Sequence, residues 1–318
     1  MNYLSKIYVA GHNGMVGSAI LRLLEKQGYT NIIIRTREEL DLTNQQSVAD
    51  FFATEKPEYV ILAAAKVGGI MANNTYPADF LYQNLQIQNN VIHNAYLSGV
   101  KKLLFLGSSC IYPKNCPQPM KEEYLLTGLL EETNEPYAIA KIAGIKMCQS
   151  YNRQYGTNFI AVMPTNLYGE NDNFDLNNSH VLPALLRKFH EAKINNLSEV
   201  EVWGTGTQRR EFLYVDDMTK ACLFVLQNFS PTKDQNENGD IFFNIGTGMD
   251  LTILELAEMI KKIVGFEGNI VFDTTKPDGT LQKLLDVTKI NNLGWKDESS
   301  LEEGIKQVYD WYLDRIDT

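Results

Sequence analysis

Three glycines at a spacing of three residues follow directly after a short apolar run near the start of the chain. The run is Lys6–Ala10, and the glycines are Gly11, Gly14 and Gly17. In Met15–Gln27 the apolar side chains then recur at the period of a helix. Glycines in such a place permit a tight turn and a close approach of the backbone to a bound group. The pattern therefore predicts a strand, a glycine turn and a helix, the opening unit of a parallel sheet.

Strand and helix patterns alternate through the rest of the first half. Further strands are predicted at Asn31–Arg35, Tyr59–Ala65, Lys102–Leu106 and Asn158–Met163, and helices at Asn44–Ala53, Phe80–Ser98 and Pro136–Tyr155. Such alternation is typical of an α/β fold with a Rossmann-type, doubly wound parallel sheet. We expect this domain to cover residues 1–165, with 214–245 returning to it, and a smaller C-terminal domain to cover 166–318.

The second half is less regular. Asn-rich and turn-rich segments at Glu170–Ser179 and Trp203–Thr207 are predicted to be loops that face a substrate. Thr252–Glu255 matches a capping box at the start of a helix, and Gly265 is placed to end that helix. The polar segment Pro231–Gly239 is predicted to be a surface loop.

The composition excludes several classes of protein. With 318 residues, 44% of them hydrophobic, the chain can build one large or two modest cores. The 29 Lys and Arg against 39 Asp and Glu give a net charge of -10, which argues against a general nucleic-acid binder. A strand begins within six residues and no apolar run approaches about 20 residues, so we expect neither a signal peptide nor a membrane span.

The cysteines indicate a reducing compartment. They are few and show no metal-ligand spacing, so we expect free thiols, no metal and a cytoplasmic protein. These cysteines are Cys110, Cys116, Cys148 and Cys222.

The glycine turn predicts a dinucleotide, because a pyrophosphate can bind the amides at a helix N-terminus. An NAD site usually has Asp or Glu after the second strand, whereas this strand runs into Arg35 and Arg37. Arginine there favours the 2'-phosphate of NADP. Asp41 and Leu42 are expected to border the adenine. The alternatives, that the arginines are solvated surface charges and that NAD is bound, stay open.

A tyrosine and a lysine lie four residues apart on a predicted helix, and therefore on one face. They are Tyr137 and Lys141, and Ser108 follows an apolar strand. Near an ammonium a phenol becomes more acidic. With the glycine turn, these residues predict a hydride-transfer site. Tyr137 would give a proton to a substrate oxygen, Lys141 would lower the phenol pKa and bind the nicotinamide ribose, and Ser108 would hydrogen-bond the same oxygen.

Several longer segments make the chain resemble the extended short-chain dehydrogenase/reductases, and within them the GDP-L-fucose synthase family. They are Ala63–Ile70, Asn73–Asp79, Leu106–Pro113, Asn134–Lys141 and Met163–Gly169. The resemblance implies a bifunctional epimerase-reductase of nucleotide-sugar metabolism. Its substrate would be GDP-4-keto-6-deoxy-D-mannose, epimerised at C3 and C5 and then reduced at C4 with NADPH. A homodimer is also implied.

The resemblance assigns roles to individual residues. Cys110 is implied as base and His180, in the segment Asn178–Val181, as acid of the epimerisations. A thiol with a pKa of about 8.5 and an imidazole with one of about 6.5 can exchange protons near neutral pH. The alternative for Cys110 is a small buried apolar residue. The implied substrate-binding residues of the C-terminal domain are Lys188, Trp203, Arg210 and Asp278. The implied cofactor-binding residues are Gly11, Asn13, Gly14, Met15, Val16, Gly17, Arg37, Asp41, Leu42, Leu106, Gly107, Ser108, Ser109, Tyr137, Lys141, Pro164, Thr165, Asn166, Leu167 and His180.

Some features depart from the family pattern. Asn13 stands where members often carry arginine, and Lys188 stands where arginine can occur. Two other readings are another nucleotide-sugar enzyme, either a 4-epimerase or a 4,6-dehydratase, and a non-catalytic NADP-binding regulator. Ser109 and Cys110 stand where a dehydratase normally has an Asp-Glu pair, and a regulator usually lacks the tyrosine or the lysine.

Overall fold

The computed structural model describes residues 1–176, 179–276 and 278–316. Asn178, in the predicted histidine segment, and Pro277, next to Asp278, lie outside these ranges. The strands are β1 (Ile7–Ala10), β2 (Ile32–Ile33), β3 (Tyr59–Leu62), β4 (Lys102–Leu106), β5 (Phe159–Pro164), β6 (Asn166–Tyr168), β7 (Glu199–Trp203), β8 (Arg209–Arg210), β9 (Phe212–Tyr214), β10 (Phe242–Ile245), β11 (Leu251–Thr252), β12 (Asn269–Asp273) and β13 (Gln282–Lys283). The α-helices are α1 (Met15–Lys26), α2 (Gln45–Glu55), α3 (Ile70–Thr75), α4 (Pro77–Leu97), α5 (Glu135–Tyr155), α6 (Val181–Ile194), α7 (Val215–Asn228), α8 (Lys233–Asn238), α9 (Ile253–Val264), α10 (Thr288–Leu293) and α11 (Leu301–Ile316).

The central sheet is parallel and has the strand order β10-β5-β4-β3-β1-β2. Its central strands are apolar and buried, which lets helices cover both faces of the sheet. β10 comes from late in the chain and pairs with β5, so the chain returns to this sheet after an excursion. The predicted Rossmann-type α/β fold is confirmed.

Helices pack on both faces of the sheet. On one face α2, α4 and α5 form a core with the strands, for example through Phe52, Val91 and Ile145. On the other face α1 packs beside α7, and Ile20 and Met218 belong to that core. The doubly wound arrangement brings the carboxyl ends of the strands to one edge, where ligands of such sheets bind.

A third core lies under the C-terminal half. It is built by α6, α9 and α11 around side chains such as Phe189, Leu256 and Tyr309. Short strand pairs accompany it: β7 with β12, β6 with β9, and β8 between β11 and β13. Because most of these strands have two or three residues, loops and turns form much of this half's surface beside the central sheet.

The structure differs from the sequence prediction in several element bounds. β3 ends at Leu62 rather than at Ala65, because the chain leaves the sheet to run past the glycine turn; a Cβ at Gly11 would lie 2.7 Å from the backbone of Ala64. The prediction for Pro231–Gly239 was wrong, since this segment contains the short helix α8. Thr232 opens that helix in a capping box, a signal that the polar composition concealed.

Candidate active site

The glycine turn presents free amides at the start of α1. The Gly14 N–H donates to the Gly11 carbonyl (3.1 Å), and Gly14 is the N-cap residue, which has no side chain to satisfy the first amides of the helix. Gly11 has φ +87°, and a Cβ at Gly17 would overlap the Gly11 carbonyl. Only glycine therefore fits this turn without displacing the backbone, and the resulting helix N-terminus suits a phosphate.

A cavity of about 650 Å³ opens in front of this turn. It extends along the carboxyl ends of β1, β3, β4 and β5, and all of the predicted cofactor-binding residues line it. The sequence analysis missed other lining residues. Those after β3 could have been found by the rule that ligands bind at strand ends, whereas residues on α4 gave no signal. The additional lining residues are His12, Thr36, Leu40, Thr43, Ala63, Ala64, Ala65, Lys66, Val67, Gln83 and Ile87; Arg35, which was predicted together with Arg37, also lines the cavity.

The two arginines after β2 have different environments. Arg35 donates to the Ile34 carbonyl (2.8 Å) and pairs with Glu55 (2.6 Å), so its charge is already compensated. Arg37 is exposed on the cavity wall, and within the described ranges it makes no salt bridge. Arg37 thus forms no ion pair among the described residues, although the Asp41 carboxylate lies near it, and its guanidinium can face a 2'-phosphate while the glycine turn has room for a pyrophosphate. These features fit a phosphorylated dinucleotide.

Ser108, Tyr137 and Lys141 meet at the far end of the cavity. Pro136 stands in the first turn of α5, which places Tyr137 and Lys141 near the start of that helix. The Lys141 ammonium donates to the Leu106 carbonyl (2.7 Å) and lies 5.6 Å from the centre of the Tyr137 ring. The helix and the end of β4 therefore hold these groups together, as their spacing predicted.

Burial is the main cause of the pKa shifts of Tyr137 and Lys141. Burial raises the pKa of Tyr137, the nearby Cys110 raises it further, and a hydrogen bond with Ser108 opposes the shift. The expected depression of this pKa by Lys141 is not found: burial, Cys110 and Ser108 account for the shift. Burial lowers the pKa of Lys141 to about 8, with Cys110 acting in the opposite direction.

Cys110 and His180 lie beside these residues. Cys110 is in a 3-10 turn directly after Ser108, and its side chain is 8% exposed. Burial raises the pKa of Cys110, while Ser108 and Lys283 oppose the shift. His180 is the N-cap residue of α6 and lines the cavity. The His180 side chain is exposed on its cavity side, and protein encloses the rest of the ring. This burial lowers the pKa of His180, and the positive charge of Lys283 lowers it further.

The sequence that builds this site matches a known family. A model described as the NAD dependent epimerase/dehydratase family matches residues 7–246, a range that contains the glycine turn and the five residues just described. The chain is a member of this family.

Individual relatives narrow the comparison within the epimerase/dehydratase family. Putative GDP-L-fucose synthase 2 of Arabidopsis thaliana is 62% identical over 312 residues, which cover 98% of this chain and 93% of that protein. A GDP-L-fucose synthetase from Naegleria fowleri, solved with NADP bound, superposes with a TM-score of 0.90 at 28% identity, covering 100% of this chain and 97% of that one. A GDP-6-OMe-4-keto-L-xylo-heptose reductase from C. jejuni gives 0.94 at 47% identity and 99% coverage of both chains. The resemblance to GDP-L-fucose synthases is confirmed.

In this family member the predicted substrate residues lie in the C-terminal half. Trp203 ends β7 and is 46% exposed, and the ammonium groups of Lys188 and Lys276 lie 5.2 and 5.4 Å from the centre of its ring. Asp278 accepts from the Thr205 N–H (2.7 Å) and from its hydroxyl (3.0 Å). Its carboxylate therefore shapes the turn after β7.

Two adjacent arginines on β8 have different partners. Arg209 pairs with Asp250 (2.8 Å). Arg210 makes no salt bridge within the part of the chain that the structure describes, and burial lowers its pKa. Of the two guanidiniums, Arg210 is the one that remains available for an anion.

Lys283 is a site residue that the sequence analysis missed. It lies on β13 directly opposite Arg210 in the strand register, and it lines a second, small cavity together with Cys110 and Glu131. Enclosure by protein lowers the pKa of Lys283. No local pattern marks it, because β13 has two residues and its partner strand is distant in sequence. Two desolvated cations side by side form a place for a multiply charged anion.

The expectations on metals, thiols and membranes have these outcomes. Among the described residues, no group of three or more His, Cys, Asp or Glu side chains could hold a metal ion. The four cysteines are free thiols. None of the helices over the described ranges is long and apolar enough to cross a membrane.

Proposed function

We propose that this enzyme converts GDP-4-keto-6-deoxy-D-mannose to GDP-L-fucose by epimerisation at C3 and C5 followed by NADPH-dependent reduction at C4. One observation carries the proposal. An acid–base pair suited to carbon epimerisation, Cys110 and His180, lies beside the Ser108, Tyr137 and Lys141 of a hydride-transfer site. Relatives named GDP-L-fucose synthase, with identities up to 62%, supply the substrate class.

The first stage needs proton exchange on both faces of the sugar. Hydrogens at C3 and C5 are acidic because both carbons flank the C4 ketone, and inversion requires removal from one face and return on the other. Cys110 takes the proton and His180 returns one, roles that the family resemblance assigns.

The second stage needs charge control at the C4 oxygen. When bound, NADPH supplies the hydride. Tyr137 gives its proton to the C4 oxygen, Ser108 donates a hydrogen bond to that oxygen, and Lys141 holds the phenol and the cofactor ribose in place. Arg37 and the amides at the start of α1 would hold the 2'-phosphate and the pyrophosphate.

The GDP part of the substrate would bind in the C-terminal half. Arg210 and Lys283 would face its pyrophosphate, and Lys188 and Trp203 would contact the remainder of the nucleotide. Asp278 would act indirectly, by fixing the turn after β7. This division of labour supports the proposed domains, with residues 1–165 and 214–245 for the cofactor and the remainder of 166–318 mainly for the substrate.

We further propose a cytoplasmic homodimer. α4 and α5 run side by side in the same direction, since Phe80 contacts Tyr137 at one end and Tyr96 stacks on Tyr155 at the other. Their outer surface exposes Tyr82. An apolar surface on two long helices suits a second copy of the chain. Free thiols are typical of reducing compartments and support the location.

The function is tested by NADPH oxidation with GDP-4-keto-6-deoxy-D-mannose and NMR identification of the product. Wild type is expected to yield GDP-L-fucose. Cys110→Ser should slow epimerisation and Tyr137→Phe should slow reduction, each by roughly 100-fold or more, the contribution typical of a positioned acid or base. Cys116→Ser, a change at a thiol outside the two cavities, is the matched control and should stay close to wild type. A wild-type protein that leaves NADPH unoxidised contradicts the function.

A second candidate is reduction of a GDP-4-keto sugar without epimerisation. It is favoured by the likeness to the C. jejuni protein named a GDP-6-OMe-4-keto-L-xylo-heptose reductase. The same assay separates the two functions, because a simple reductase yields a product that retains the C3 and C5 configuration of the substrate and incorporates no solvent deuterium there.

A further inference from the structure

A buried carboxylate that no motif predicts lies between the two halves of the site. Glu211 connects β8 to β9, and its side chain has no exposed surface. An isolated charge in such a place is unfavourable, so the protein must compensate it with hydrogen bonds. A carboxylate of this kind marks a position where several segments have to be held together.

Backbone donors from two different segments converge on this carboxylate. One oxygen accepts from the N–H groups of Thr247 (2.7 Å) and Gly248 (2.8 Å), and the other accepts from the Leu285 N–H (3.0 Å). A Cβ at Gly246 would overlap the carboxylate, so a glycine is needed there to admit it. Glu211 thus fixes the loop after β10 and the segment after β13.

The backbone of the same residue is fixed to the cofactor cavity. Its carbonyl accepts from the Thr165 hydroxyl (3.2 Å) and from the Asn166 side-chain amide (2.8 Å). Both of those residues line the cavity. Glu211 is therefore connected on one side to the cofactor wall and on the other to the strands of the substrate side.

The cation pair is carried on these connected strands. Arg210 immediately precedes Glu211, and Lys283 stands two residues before Leu285. The two cations are also opposite each other in the strand register. Arg210 is thus the chain neighbour of Glu211, and Lys283 is two residues from the Leu285 N–H that binds the Glu211 carboxylate.

We propose that Glu211 is a positioning residue that holds Arg210 and Lys283 at a fixed distance from the cofactor cavity. A GDP-sugar bound through its pyrophosphate would then place its ketone at Tyr137. The proposal rests on the proposed function, because it takes a GDP-sugar as the ligand. Glu211 itself contacts neither substrate nor cofactor in this scheme.

Glu211→Gln tests the proposal with little change in volume. The amide keeps one acceptor oxygen but turns a donor toward the backbone N–H groups, so one side of the connection is lost. We expect the Kd of GDP, measured by calorimetry, and the KM of the keto-sugar to rise about tenfold or more, the effect of losing a buried hydrogen bond to a charge. The Kd of NADPH should change less than about twofold, because the glycine turn and Arg37 are untouched.

Asp217→Asn is the matched control. Asp217 also has no exposed surface and accepts from two backbone N–H groups, those of Glu298 (3.0 Å) and Ser299 (2.7 Å), but it lines neither cavity. Both variants should lose thermal stability, whereas only Glu211→Gln should lose GDP affinity. An equal fall in GDP and NADPH affinity in Glu211→Gln, or an unchanged GDP affinity, overturns the positioning role.

Gly246→Ala provides an independent variant in case Glu211→Gln does not fold. The added methyl group displaces the carboxylate but leaves its charge and its donors in place, so the same selective loss of GDP affinity is expected. Failure of the proposed function is recognised separately. A wild type that binds GDP without oxidising NADPH refutes the function, while the GDP affinities of the variants still decide the role of Glu211.

Discussion

Lys141 and Cys110 are both enclosed by protein, and this enclosure moves their pKa values in opposite directions. The pKa of Lys141 falls to about 8, and that of Cys110 rises above the ordinary thiol value. Burial disfavours the charged form of each group, which is the protonated ammonium for lysine and the deprotonated thiolate for cysteine. Burial therefore disfavours both the ammonium form of Lys141 and the thiolate form of Cys110. Lys141 loses its charge at a lower pH than usual, and Cys110 gains its charge at a higher pH than usual.

We expect the two reaction stages to respond oppositely to pH between about 7 and about 9. Lys141 must be protonated for reduction, so reduction should slow as pH rises through the pKa of about 8. Cys110 must be deprotonated for epimerisation, and its pKa lies above the ordinary thiol value, so uptake of solvent deuterium at C3 and C5 should accelerate throughout this pH range. The isotope effect from NADPH deuterated at the transferred position should grow over the same range. A parallel response of both stages would contradict these assignments.

Prediction from sequence succeeded at this scale where the chemistry is local. Tyr137 and Lys141 are one helical turn apart, so their meeting follows from the helix period alone. Lys283 and Glu211 could not be predicted, because their partners come from segments that only the folded chain brings together. The pKa of Tyr137 was also misjudged, since burial cannot be read from the spacing of residues.

Among the elements, the turn before α1 depends on steric limits more than on any side-chain contact. A Cβ at Gly17 would overlap the Gly11 carbonyl, but a Cβ at Gly14 would lie 3.6 Å from the same oxygen, an ordinary contact. Gly17 is therefore needed for the shape of the turn, whereas Gly14 leaves space for a ligand near the helix amides.

Alanine substitutions should separate these two roles. Gly17→Ala is expected to lower the free energy of unfolding by about 1–3 kcal/mol, the typical effect of overpacking, and to weaken NADPH binding. Gly14→Ala should leave the unfolding of the ligand-free protein nearly unchanged while weakening NADPH binding, because Gly14 lines the cavity beside the helix amides proposed to bind the pyrophosphate. Thermal unfolding and calorimetric titration measure both effects. Equal destabilisation by the two changes would refute the distinction.

Capping signals show how far sequence can define an element. The helix that opens at Thr252 is confirmed, with its capping box and Gly265 in the left-handed region. The same type of signal at Thr232 was present but was missed, because the segment is polar and has no apolar stripe. α8 therefore depends on its caps, and period-based prediction cannot detect such a helix.

In the whole molecule, the proposed dimer surface can be tested by adding charge. Replacing Tyr82 and Ile139, both exposed on α4 and α5, by aspartate should convert a dimer into a monomer of 36.1 kDa, because two carboxylates cannot be buried unpaired in an apolar interface. The same replacement of Tyr3 and Leu4, which are exposed near the N-terminus and outside α4 and α5, is the control and should leave the mass unchanged. Light scattering after gel filtration measures the mass. A wild-type protein of 36.1 kDa would contradict the dimer.

The overall architecture was the most predictable property, because a parallel sheet follows from alternating strand and helix patterns that extend over the first half of the chain. The C-terminal half was less predictable, since strands of two residues leave no periodic signal.

The two-residue strands β8, β11 and β13 bear on how such a protein can change during evolution. Each of them contributes few backbone pairs to the fold, so exchanges within them break few of its backbone hydrogen bonds and none of those in the central sheet. Natural selection can therefore alter the C-terminal half, which is proposed to bind the sugar nucleotide, while the central sheet beside the cofactor cavity stays unchanged. We therefore expect proteins with this scaffold to differ more in the short strands around the sugar than in the sheet around the cofactor.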